Sequence, residues 1–94
     1  MLSDIPKELS KVDKEHRDME IARAGMIAEL DAINLYEQMA AMTDNVLLKK
    51  VLLDIAREEK THMGEFQTVL LMEDQEQVRE LEGGREEVEE MKDS

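Results

Sequence analysis

Apolar residues recur every three or four positions along most of the chain, which is the spacing of helices with one buried face. In the first half, this apolar seam consists of Met19, Ala22, Met26, Ile33, Tyr36 and Ala40. In the second half, it consists of Leu48, Leu52, Ile55, Phe66 and Val69. The pattern predicts one helix over 13–42, with Asp13 as its N-cap, and a second helix over 46–72.

The segment Thr43-Asp44-Asn45 separates the two predicted helices. These residue types favour turns, and Thr43 or Asp44 is expected to cap the second helix. Because the connection is short, the two helices should form an antiparallel hairpin. A short third helix is expected over 74–81, ended by the glycine pair 83–84.

The chain is therefore expected to contain three parts. Residues 1–12 are a lead-in that is either docked on a neighbour or disordered. Residues 13–82 form the helical hairpin and the short third helix, and residues 83–94 form an acidic tail. Met, Leu, Ala, Glu, Lys and Gln predominate, and these helix formers favour an all-α fold.

The amino-acid composition restricts the kinds of functional site and partner that the chain can have. There is no cysteine, which excludes disulfides, zinc–thiolate sites, iron–sulfur clusters and thiol catalysis. The net charge of −12 argues against a nucleic-acid partner and suits a protein that attracts cations, although composition alone favours a solvated acidic surface. There is neither a long apolar run nor a signal-peptide pattern at the start, so we expect a cytoplasmic protein with no membrane partner.

Polar residues interrupt both apolar seams at matching levels. Between Met26 and Ile33, the position where the repeat would place an apolar residue holds Glu29. Between Ile55 and Phe66, the two such positions hold Glu59 and His62. Glu29 lies as far before the turn as Glu59 lies after it, about 22 Å at 1.5 Å per residue. Glu59-x-x-His62 places a carboxylate and an imidazole on one helix face.

Each of these residues has a plain structural explanation when taken alone. Glu29 could be solvated, Glu59 and His62 could form an ion pair at the core edge, and Tyr36, one heptad from Glu29, could be a core residue. Together they favour metal binding, because two buried carboxylates at one level cost several kcal/mol and repel each other. A cation removes both penalties. We therefore expect Glu29, Glu59 and His62 to bind metal, with Tyr36 nearby.

One chain supplies only half of a familiar ligand set. Di-iron four-helix bundles use a Glu from each of two helices and a Glu-x-x-His from each of the other two. A two-fold homodimer would supply the remainder, bind two metal ions between the chains and bury the exposed seam. Oxygen-rich ligands with one nitrogen per metal favour iron or manganese over zinc or copper.

The segments from Ala28 to Met39 (AELDAINLYEQM) and from Ala56 to His62 (AREEKTH) resemble the encapsulated ferritins of the ferritin and rubrerythrin superfamily. They are especially similar to the ferritin-like domain fused to some archaeal encapsulins, over roughly residues 14–90. The resemblance implies a helical hairpin with a short C-terminal helix, dimerising into a ferritin-like four-helix bundle. It implies a ring of dimers, commonly a decamer, that oxidises Fe²⁺ with O₂ or peroxide and delivers Fe³⁺ to an encapsulin nanocompartment for storage.

The same resemblance assigns roles to residues. Glu29, Glu59 and His62 correspond to the family's iron ligands, Tyr36 to a tyrosine beside the ferroxidase centre, and Asp31 to an acidic position linked to iron entry. Ala28 stands where some relatives have a second glutamate. Two other functions stay open at this point: a rubrerythrin-like di-iron peroxidase, and a non-enzymatic helical assembly or cargo module whose metal locks the dimer.

Overall fold

The computed structural model describes residues 16–94. These residues form three helices, α1 (Arg17–Met42), α2 (Val46–Glu73) and α3 (Gln75–Asp93). The described part of the chain contains no strand, so the predicted all-α class is confirmed. The predicted lead-in over 1–12 and the predicted cap at Asp13 lie outside the described residues.

The hairpin of α1 and α2 has a narrow core in which small and branched side chains alternate. The buried residues are Ala22, Ile33 and Ala40 from α1 and Leu52, Ala56 and Leu70 from α2. The alanines let the two helices approach closely, and the larger side chains fill the space between them. The predicted α1 seam is confirmed, since each of its positions is buried or half-buried.

The predicted α2 seam is right in its middle and wrong at its ends. Leu48 and Val69 are 45% and 51% exposed, whereas Leu70 is only 3% exposed. A strict heptad spacing has a period of 3.5 residues, but a straight helix has 3.6, so the buried stripe drifts around the helix over several turns. Leu70, one position beyond the predicted Val69, therefore faces the core.

The turn residue Asn45 caps α2. Its side-chain Oδ1 accepts a hydrogen bond from the Leu48 backbone N–H at 3.0 Å. The predicted cap at Thr43 or Asp44 is wrong, because the backbone is still extended at Asn45, with φ −76° and ψ 110°. Thr43 instead stabilises the turn, its Oγ1 accepting from the Asn45 N–H at 3.1 Å.

The third helix is longer than predicted and does not end at the glycine pair. It has 19 residues and continues through Gly83 and Gly84, neither of which has positive φ. Charged pairs one turn apart support this segment: Arg85 Nη2 lies 2.6 Å from Glu82 Oε1, and this contact lowers the pKa of Glu82. Residues 83–93 are thus part of α3, while a functional division of the chain at 82/83 stays a prediction.

A single residue, Asp74, joins α2 to α3. Its backbone N–H donates to the Leu70 carbonyl at 2.9 Å, and its Oδ1 accepts from the Gln77 N–H at 3.0 Å. Its Oδ2 also accepts a hydrogen bond from Arg23 of α1 at 2.7 Å. Asp74 therefore ends one helix, begins the next and ties that junction to the hairpin.

Helix α3 projects away from the hairpin. The molecule measures 46 × 44 × 20 Å, and its radius of gyration is 16.7 Å, against about 12 Å for a compact chain of this length. None of the residues of α3 is buried. Among the described helices, none combines the length and the apolar character that crossing a bilayer requires.

Candidate metal centre

The structure brings Glu29, Glu59 and His62 together between the two hairpin helices. Helix α1 places Glu29, and α2 places Glu59 and His62 one turn apart on the face turned toward α1. One ligand atom from each lies within 4.8 Å of the others. His62 Nδ1 is 3.7 Å from Glu29 Oε2 and 3.6 Å from Glu59 Oε2. The juxtaposition predicted from the turn position is therefore present.

The environment of the two carboxylates favours a cation. Both Glu29 and Glu59 side chains are 19% exposed. Glu29 Oε2 is buried and accepts no hydrogen bond from the described residues. A buried carboxylate oxygen without a donor is costly, and 3.7 Å is too long for a hydrogen bond from the imidazole. The spacing leaves room for an ion between the three groups, and ionised carboxylates with an imidazole are a donor set that suits iron.

His62 lies at the open side of this group. Its side chain is 48% exposed, far more than those of the two glutamates. The group offers two carboxylates and one ring nitrogen to a metal ion. The group is therefore accessible from outside the hairpin on the side of His62.

A second charged pair flanks the group. Lys60 Nζ lies 3.3 Å from Glu37 Oε2 and links α2 to α1. Lys60 directly follows Glu59 in the sequence, so this contact gives its positive charge a partner other than the candidate ligands. Equal distance from the turn does not predict this pair, because Glu37 lies 7 residues before Asp44 and Lys60 lies 16 residues after it.

Tyr36 and Asp31 stand apart from the three clustered residues. Tyr36 is half-buried on α1, about 10 Å along the helix axis from Glu29. Asp31 follows Glu29 by two positions, and residues at that spacing do not share a helix face. Asp31 is not a member of the Glu29–Glu59–His62 group. The roles of Tyr36 beside the centre and of Asp31 in iron entry stay predictions.

The helical hairpin that carries the Glu29–Glu59–His62 group has the fold of an encapsulated ferritin domain. The EncFtn-like family model matches residues 4–73, and the chain belongs to this family. The resemblance seen in the segments around Glu29 and Glu59 is thereby confirmed. An iron-related function and a relationship to encapsulin systems are supported at the level of the family.

Two relatives place the chain within this family. It is 62% identical over 73 residues to a ferritin-like–encapsulin shell fusion protein of Pyrococcus furiosus. The matched segment covers 78% of this chain and 21% of that protein. The chain thus spans about a fifth of the length of this relative. The crystal structure of an encapsulated ferritin domain from Pyrococcus furiosus matches with a TM-score of 0.80 and 54% identity. That match covers 93% of this chain and 92% of the other.

Proposed function

We propose that the protein is a ferroxidase that oxidises Fe²⁺ to Fe³⁺ at a site formed between two copies of the chain. The observation that supports this proposal best is the buried Glu29 Oε2, which has no hydrogen-bond donor among the described residues and faces His62 Nδ1. A cation held jointly by Glu29, Glu59 and His62 satisfies that oxygen. Iron is the substrate of this site.

The second copy completes the coordination. In a two-fold dimer each surface patch meets its own copy, so the open side of the group at His62 faces the same group of the partner. Two sets of Glu29, Glu59 and His62 then surround two Fe²⁺ ions. The dimer also covers apolar surface of the hairpin and forms a four-helix bundle.

The chain's own residues favour the oxidised product. Two Fe²⁺ ions each give one electron to O₂, which takes up two protons and leaves as hydrogen peroxide, with two Fe³⁺ ions as the other product. The carboxylates of Glu29 and Glu59 are hard anionic ligands, which stabilise Fe³⁺ more than Fe²⁺. His62 binds through a neutral ring nitrogen. Tyr36 is proposed to donate a hydrogen bond beside the centre.

The ferric product is proposed to pass to an encapsulin compartment for storage. The support is the relative in which a ferritin-like part is fused to an encapsulin shell. At 62% identity over the shared 73 residues, a shared cellular setting is the natural proposal. We therefore propose a ring of dimers, decameric as in the family, enclosed with an encapsulin shell protein in the cytoplasm.

Loss of the candidate ligands tests the proposal. We expect Glu29→Gln or His62→Ala to slow the aerobic appearance of ferric absorbance by about 100-fold or more, in line with the loss of groups that act at a reacting centre. Glu58→Gln is the matched control, because Glu58 neighbours Glu59 on α2 but is exposed and outside the group. A wild-type oxidation rate in Glu29→Gln would exclude this site.

Anaerobic titration gives the stoichiometry. We expect one Fe²⁺ bound per chain, together with a solution mass of a dimer or a multiple of it. Tight binding without oxidation on admitting air would contradict the ferroxidase and indicate a metal-locked assembly. Consumption of supplied peroxide with an added reductant, without net ferric product, would indicate a peroxidase.

A further inference from the structure

Helix α1 approaches a side chain of α2 closely at a glycine, Gly25. A Cβ atom added to Gly25 would lie 2.7 Å from Cδ1 and Cε1 of Phe66 and 2.8 Å from its Cγ. Non-bonded carbon atoms favour separations of about 3.5–4.0 Å. Gly64, the other glycine of the hairpin, has open space, with no atom within 4 Å of the added Cβ. Gly25 is therefore required by packing, and Gly64 is not.

This contact lies one helical turn from the candidate ligands on both helices. Gly25 precedes Glu29 by four residues, and Phe66 follows His62 by four, so each shares a face with a ligand about 6 Å away along the axis. Long side chains on a helix lean toward its N-terminus, which directs the Phe66 ring back toward His62. The Gly25–Phe66 contact is thus the packing layer next to the Glu29–Glu59–His62 group.

We propose that Gly25 and Phe66 are positioning residues that set the separation of α1 and α2 at the metal-binding group. This inference rests on the proposed function. Glu29 comes from one helix and the other two ligands from the opposite helix, so a change in helix separation moves Glu29 relative to Glu59 and His62. Metal–ligand distances tolerate only about 0.2 Å of error. Restoring a normal carbon–carbon separation after adding a methyl group to Gly25 requires about 0.8 Å.

The ring cannot relieve such a clash by simple rotation. Rotation about χ2 moves Cδ1 and Cε1 but leaves Cγ in place, because Cγ lies on the rotation axis. Cγ itself is 2.8 Å from the added Cβ. A change in χ1 is restricted, because one of the three χ1 rotamers clashes with the preceding turn of the helix. Part of the strain therefore passes to the spacing of the helices.

Binding of Co²⁺ by alanine variants of the two hairpin glycines tests this inference without any oxidation reaction. We expect Gly25→Ala to weaken Co²⁺ binding by about tenfold or more, the size of loss seen when groups that orient metal ligands are altered. Its Co²⁺ absorption band should also change in position or intensity. Far-UV circular dichroism should show the helices retained, because alanine is the better helix former. Gly64→Ala, the matched control, should bind Co²⁺ as the wild type does.

A second substitution identifies the partner in the clash. The double variant Gly25→Ala/Phe66→Leu replaces the ring with a smaller side chain and should recover most of the lost Co²⁺ affinity. The inference is overturned if Gly25→Ala binds Co²⁺ normally, if Gly64→Ala loses as much affinity, or if Phe66→Leu gives no recovery. Should Gly25→Ala fail to fold, Phe66→Leu alone decides: weakened binding supports the positioning role, and unchanged affinity overturns it.

The wild-type titration separates this inference from the proposed function. Absence of Co²⁺ binding by the wild type, or binding that survives His62→Ala, contradicts the metal site itself. Binding by the wild type that depends on His62, together with equal binding by Gly25→Ala, contradicts only the positioning role.

Discussion

The hairpin and α3 each contain two glycines, and the glycines have different structural consequences. In the hairpin, the backbone at Gly25 lies directly against the ring of Phe66, leaving no room for a methyl group. In α3, a Cβ on Gly83 would be 3.7 Å from its nearest neighbour, Glu80 Oε2, and a Cβ on Gly84 would have no neighbour within 4 Å. Glycine is thus a packing requirement at one position of the hairpin, Gly25, whereas at both positions in α3 it is only a weak helix former.

The glycines differ because the hairpin is stabilised by buried side chains and α3 by local interactions. The hairpin contains all the buried apolar residues of the described chain, whereas α3 contains none. Helix α3 depends on interactions along its own length and at its start, such as the Arg85–Glu82 pair and the Asp74 cap. The hairpin therefore has the rigidity that a metal site needs, while α3 leaves Val88 and Met91 exposed on a projecting arm.

The largest expected effect is in the hairpin core. Ile33 is 8% exposed, so we expect Ile33→Ala to lower the free energy of unfolding by about 2–4 kcal/mol through lost burial and a residual cavity. Val88→Ala is the control on α3, where the side chain is 55% exposed, and should change stability by no more than about 0.5 kcal/mol. Urea denaturation at one fixed protein concentration measures both, and equal losses would contradict the contrast in burial.

The hairpin could be predicted from the sequence because its signals are repeated many times. Helix periodicity, a turn without competing apolar residues and helix-forming composition all indicate the same two elements. The juxtaposition of Glu29 with Glu59 followed from their equal distance to the turn. The ends of the α2 seam could not be predicted in the same way, because the small difference between periods of 3.5 and 3.6 accumulates until Leu70 replaces Val69 in the core.

The extent of α3 and the close approach at Gly25 were not predictable from local patterns. A glycine pair is a common helix stop, but it stops a helix only when the backbone adopts positive φ there, and Gly83 and Gly84 do not. The tight contact at Gly25 joins residues 41 positions apart in the sequence. No spacing rule within one helix identifies such a contact, so it required the packed structure.

In α3 we expect a gain in stability that is smaller than the loss caused by Ile33→Ala. Gly83→Ala and Gly84→Ala should each stabilise the helix by about 1 kcal/mol, because alanine loses less backbone entropy and neither position is crowded. Amide hydrogen exchange along 75–93 measures the effect, and slower exchange is expected in both variants. Faster exchange in either variant would contradict the conclusion that both glycines lie in uncrowded, regular helix.

The smallest expected change in stability is at Asp74, the junction between the hairpin and α3. The Gln77 N–H donates to the Asp74 carboxylate and the Arg23 guanidinium donates to it from α1, and these contacts lower the pKa of Asp74 below its usual value. A lowered folded-state pKa means that the ionised form stabilises the folded state. This contribution is present above the unfolded pKa of about 4 and is lost as the pH falls through the lower folded value.

The substitution Asp74→Asn separates the ion pair with Arg23 from the N-cap hydrogen bond to Gln77. Asparagine keeps a side-chain oxygen for the Gln77 N–H and is as good an N-cap as aspartate, but it cannot form the ion pair with Arg23. We expect a melting temperature slightly below that of the wild type at pH 7, and a larger fall for Asp74→Ala, which loses the cap as well. The gap between wild type and Asp74→Asn should narrow as the pH falls below about 4 and close below the lower folded-state pKa of Asp74, because the folded wild-type carboxylate is then protonated. If the difference in melting temperature persists at low pH, the charge of Asp74 does not account for it. The ion pair with Arg23 would then not stabilise the junction, and the cap of α3 would be the only contribution of Asp74.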